Sequence, residues 1–159
     1  MPLQVVLNLS INNAFSLFDE LIYLRSIIDS ATDQLKKISS NDLQLSDLIE
    51  SMIVLNNSNL KEIDIEVWKE LTRDTAKEIQ LDNVVSVMKK HEDAFENSLY
   101  LSTMIVNSYR RIIDNKFTNF TIRKKLQTQL NKVLYLCLQI KLLRQNPCKI
   151  PHKLVGQLF

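Results

Sequence analysis

The chain has 159 residues, 45% of them hydrophobic and 24% charged, with a formal net charge of +2. That suits one folded domain with its own core. A single glycine and three prolines exclude hairpin-rich sheets and glycine-rich phosphate or dinucleotide loops, which need glycine at positive φ. What remains is an all-α fold, an irregular or up-down bundle of four to five helices ending in a long antiparallel helical hairpin.

The start, MPLQVVLNLS, has neither a basic n-region nor a small-residue cleavage site, and no stretch is apolar for long enough to span a bilayer. No membrane association and an intracellular location, cytoplasmic or nuclear, are therefore expected. Cys137 and Cys148 then read as reduced thiols.

In chain order, Leu3, Val5, Leu7 and Leu9 alternate, which predicts an extended arm over residues 1–9. The first helix is expected from about Ser10 to Ile38, on a stripe of Ile11, Ala14, Phe18, Leu21, Ile28, Thr32 and Leu35. Arg25 interrupts that stripe. Its stem can pack while its guanidinium reaches water or an acid. A short helix follows over Ser46 to Leu55. The polar run Asn56-Asn57-Ser58-Asn59 predicts a loop, and a third helix is expected over Leu60 to Ile79. The only tryptophan, Trp68, reads as a core anchor within it.

The long hairpin is expected over Asp82 to Asn146. Its first arm carries Phe95, Leu99, Ser102, Val106, Tyr109 and Ile113 at alternating three- and four-residue steps. It is either one helix capped by Asp82 or two, with Asp93 capping the second. The second arm starts at Thr118 or Thr121 and carries Ile122, Leu126, Gln129, Val133, Leu136, Ile140 and Leu143. From Val133 to Leu143 it is apolar nearly all round, so a partner or the rest of the bundle must cover it. Pro147 stops it. The tail over residues 147–159, predicted non-helical, holds Leu154, Val155, Leu158 and Phe159. With Leu136, Leu138 and Leu142, these are the candidate residues for docking a partner.

Charge is unevenly placed. Residues 1–109 hold nine basic and seventeen acidic side chains, and residues 110–159 hold eleven basic and one acidic. The densest basic run lies at the turn of the hairpin: Arg110, Arg111, Lys116, Arg123, Lys124 and Lys125. Three readings stand. The basic helix can pack on the acidic ones, the turn can meet an acidic partner protein, or it can contact nucleic-acid phosphate.

No catalytic constellation is legible, and no cofactor or metal is implied. His91, Glu92 and Asp93 are successive residues, which diverge by about 100° on a helix rather than converging. Cys137, Cys148 and His152 supply one ligand fewer than a structural zinc site needs. The run Ser108-Tyr109-Arg110-Arg111-Ile112-Ile113-Asp114, in long helices after a tryptophan-containing one, resembles the helical domain of GINS replication subunits over less than half the chain. No function is carried over from that likeness. The expected function is that of a non-catalytic scaffolding or adaptor subunit bound to other protein subunits. The alternatives are nucleic-acid association through residues 110–125, or capture of a partner helix in an apolar groove.

Overall fold

The computed structural model describes residues 2–73, 93–116 and 118–145, with side chains described from Leu17 onward in the first helix and up to Glu70 in the second. Four helices make up this part of the chain: α1 (Pro2–Lys36), α2 (Leu43–Arg73), α3 (Ala94–Ile113) and α4 (Phe120–Gln145). They pack against one another as the expected all-α bundle, and the described residues include no strand.

The order around the bundle is not the order of the chain. α1 packs against α2 and α3, and α4 packs against α3 and α2, so α2 and α3 stand on a diagonal. One ion pair crosses each of the four interfaces: Arg25–Asp64, Glu20–Arg111, Glu66–Lys125 and Glu96–Arg144. Glu66 faces Lys125 while Glu62 faces Gln129, which makes α2 and α4 antiparallel. Glu96 meets Arg144 and Tyr109 meets Gln129, so α3 and α4 are antiparallel too, as the hairpin predicted. α2 therefore ends beside the start of α4, and α3 begins beside the end of α4. The end of α2 and the start of α3 lie at opposite ends of the bundle.

The helix boundaries follow from local chemistry, with corrections to the sequence reading. Residues 2–9 belong to α1 rather than to an extended arm. Pro2 suits a first helical position, where its missing N–H is not needed. The predicted loop at 56–59 lies inside α2, which is one helix rather than two. Met52, Asn56, Asn59 and Ile63 are all buried, at the four-three-four spacing of one helix face. Packing of that face overrides the low helix propensity of asparagine. Asp93 is the N-cap of α3, accepting a hydrogen bond from the Phe95 amide at 2.8 Å. The alternative cap Asp82 and the residues between it and Asp93 lie outside the described residues.

The core runs the length of the bundle. Leu21, Leu24, Ile28 and Leu35 of α1, Leu45, Met52 and Ile63 of α2, Leu101, Ile105 and Ile112 of α3, and Val133 and Ile140 of α4 are essentially inaccessible. Each such side chain contributes about 1.5–3 kcal/mol relative to an exposed one. All seven residues of the stripe predicted for the second hairpin arm are buried. On α3 the buried line is Leu101, Ile105, Tyr109 and Ile112, rotated from the predicted one so that Leu99 and Ile113 are only partly covered. Buried Ser98, Ser102 and Ser108 return their hydroxyls to the carbonyls of Phe95, Ser98 and Met104, which satisfies them within the helix.

Candidate interaction surface

The basic turn is built first by capping. Thr118 Oγ1 donates to the Ile112 carbonyl at 2.7 Å, and Asn119 Oδ1 accepts from the Ile122 amide at 2.9 Å. Asn119 thereby caps α4, one residue past the predicted Thr118. Arg123 donates to the Asn115 carbonyl at 3.0 Å and closes the turn from the other side.

Three of the six predicted basic residues are engaged within the chain. Arg111 pairs with Glu20 at 2.8 Å and lies over the Tyr23 ring at 4.6 Å, a cation–π contact. Lys125 bonds to buried Glu66 at 2.8 Å. Burial pushes the Glu66 carboxyl up, but the hydrogen bond and charge of Lys125, joined by Lys69, outweigh it and hold the group below its ordinary value. Arg123 is spent on the turn. Arg110, Lys116 and Lys124 are exposed, and Arg110 points about 100° away from its neighbour Arg111. Among the described residues, three of the four ion pairs that cross between helices join a cation from residues 111–144 to an acid of residues 20–96, so part of the charge asymmetry is internal complementarity.

Inside the bundle, the Tyr109 hydroxyl donates to Gln129 Oε1 at 2.9 Å, and Gln129 Nε2 donates to Glu62 Oε2 at 2.8 Å. Asn59 lies beside the same hydroxyl, its Nδ2 short of a full hydrogen bond. Burial drives the phenol well above the usual tyrosine range. The group is a structural donor, locked neutral, rather than a proton shuttle. Burial likewise raises the Cys137 thiol, which suppresses the reactive thiolate. No cluster of three or more metal-ligating groups occurs among the described residues; His91, Cys148 and His152 lie outside them. A cleft of about 270 Å³ between α1 and α3, lined by Tyr23, Ile27, Met104, Asn107, Ser108 and Arg111, has its one cation already tied to Glu20.

The outer surface is where the arrangement is one-sided. The exposed large apolar side chains among the described residues are Leu43, Val54, Ile65 and Trp68 on α2 and Phe120, Tyr135, Leu138 and Leu142 on α4. None lies on α3 or on the part of α1 whose side chains are described, Leu17 to Lys36. Trp68, expected in the core, is 68% exposed: the line Met52–Asn56–Asn59–Ile63 faces inward, and sixteen residues on from Met52 a helix points away from it. Of the predicted docking residues, Leu138 (53%) and Leu142 (39%) are exposed, whereas Leu136 is buried among the core residues and is not available to a partner. Leu154, Val155, Leu158 and Phe159 lie outside the described residues. Val54 and Ile65 escaped the sequence reading because α2 was broken at Asn56. Read as one helix, its phase places Val54 and Ile65, eleven residues apart, on one line opposite Met52.

Compared with protein-family models, with curated proteins and with solved structures, the chain has no match in any of the three. Among the described residues, no helix is long and apolar enough to cross a membrane.

Proposed function

We propose that this chain is a non-catalytic adaptor or scaffolding subunit of an intracellular multiprotein complex, bound to other protein subunits through the outer face of α2 and α4. The observation that supports this reading is the segregation of every exposed large apolar side chain, among the described residues, onto those two adjacent helices. Scattered single apolar residues need no explanation, but an uneven distribution of this kind marks interaction sites. Exposed Leu138 and Leu142 are the proposed docking residues on α4, and Leu154, Val155, Leu158 and Phe159 are proposed docking residues outside the described part of the chain. Phosphate contact through residues 110–125 is the weaker reading, because Arg111, Arg123 and Lys125 are engaged within the chain.

Site-specific photo-crosslinking in cells tests the reading. A benzophenone side chain replacing Leu138 or Trp68 is expected to give discrete adducts heavier than the 18.5 kDa chain, and one replacing exposed Asp29 on α1 is not. Equal adducts from Asp29, or none from Leu138 and Trp68, would overturn it.

A further inference from the structure

We infer that the outward edge of α4 docks a single helix of a partner protein in coiled-coil register, with that helix's carboxylates on its flank toward α3; the inference rests on the adaptor reading and specifies its partner. Lys124, Thr128, Asn131, Tyr135, Leu138, Leu142 and Gln145 follow one another at alternating four- and three-residue steps, and all seven are exposed. Val133, Leu136, Ile140 and Leu143 of the same helix fill the core. α4 therefore carries two stripes, one spent on the bundle and one turned away from it. The outward stripe keeps the strict seven-residue period that holds one facing helix along a seam. Its apolar members, Tyr135, Leu138 and Leu142, occupy the half of α4 that leads to Gln145. Asn131 supplies a polar seam position of the kind that fixes register.

Charge selects the occupant. α4 carries six cations and no carboxylate. Lys132 and Lys141 stand at the two positions that flank the seam, beside Asn131 and Leu142, and Lys124 lies on the seam itself. A second copy of α4 would set these cations against their like, with no acid to relieve them. The two flanks differ. Lys132 lies two turns beyond Lys125 on the side of α2, which presents Glu62 and Glu66 there. Lys141 lies one turn before Arg144 on the side of α3, whose single carboxylate, Glu96, is already paired with Arg144. Lys124 and Lys141 are exposed and have no ion-pair partner among the described residues. The partner's carboxylates are thus directed to Lys124 and Lys141, while its apolar positions cover Tyr135, Leu138 and Leu142. An extended nucleic acid would engage the cations and leave those three side chains uncovered.

Selection from an unbiased display library of helical peptides, against the full chain, tests this. Enriched peptides are expected to share an apolar seven-residue repeat with Asp and Glu concentrated along one flank. Leu138→Asp and the double variant K124E/K141E alter only exposed side chains. Each, checked for native helicity, should bind such a peptide at least about tenfold more weakly, whereas Asp29→Asn on α1 should bind as the parent does. Replacing the peptide's acids with lysine should restore binding to K124E/K141E. Enrichment of neutral or basic peptides, no enrichment, or undiminished binding by Leu138→Asp or by K124E/K141E would overturn the inference. So would photo-crosslinks from Leu138 that reach only a second copy, or only residues 147–159 of the same chain. Crosslinks from Leu138 and Trp68 to a partner lacking an acidic helix would overturn it while leaving the adaptor reading intact.

Discussion

Asn56 is fully buried on α2, and neither its amide nitrogen nor its amide oxygen has a hydrogen-bond partner in the chain. Leaving a polar group buried and unpaired costs about 1–3 kcal/mol. Leucine has the same branched outline and no polar atoms, so Asn56→Leu is expected to stabilise the fold by about 1–2 kcal/mol. In a chain of this size that is a rise of roughly 3–6 °C in Tm, readable by differential scanning calorimetry. A lowered Tm would show that the amide meets a polar group in solution and is retained for that contact. Asn59, three residues on, is different: it adjoins the Tyr109–Gln129 hydrogen bond. Asn59→Leu places an apolar group against that hydroxyl, and the same calorimetry is expected to show a loss rather than a gain.

At the scale of the helix, α4 was legible and α2 was not, for one physical reason. α4 carries its apolar residues at helical spacing without a break, so its period alone identifies the buried face. α2 puts two asparagines at core positions, where local turn preference and tertiary packing disagree, and packing prevails. Trp68 was misplaced because its bulk, rather than its place on the helix, suggested the core. The α2–α4 interface also carries the clearest pH dependence. Glu66 has its folded-state value lowered from the ordinary 4.5. The unfolded chain therefore binds its proton at a higher pH than the folded chain does, and stability rises with pH across that window. The contribution is complete above about pH 5 and is lost as the pH falls through the lowered value. Glu66→Gln is expected to cost about 1–3 kcal/mol at pH 7, with the gap from the parent protein narrowing in urea melts as the pH falls below the ordinary 4.5. A gap that does not change between pH 7 and pH 3.5 would assign the cost to packing rather than to the charge.

At the scale of the molecule, the unusual feature is that α2 and α3, consecutive in the chain, sit on a diagonal while α2 packs on α4. The sequence could not reveal this, because a simple meander buries the same stripes and predicts the same helices. The charge layout favours the observed order. Acidic α2 stands against α4, which has no acid, and Glu66, buried among these helices, gains a cation there. Elsewhere the ion pairs are largely exposed and contribute only about 0–1 kcal/mol each, so they select an arrangement more than they stabilise it. Zero-length carbodiimide coupling separates the two orders. With Lys125 Nζ 2.8 Å from Glu66 Oε1, an amide between them is expected as a cross-linked peptide pair joining α2 to α4. Mixing isotopically light and heavy protein before coupling separates links within a chain from links between chains. A meander would instead bring α2 lysines Lys61 and Lys69 toward α3 and its Glu96. Recovery of α2–α3 links without Lys125–Glu66 would overturn the ring order, and with it the adjacency of α2 and α4.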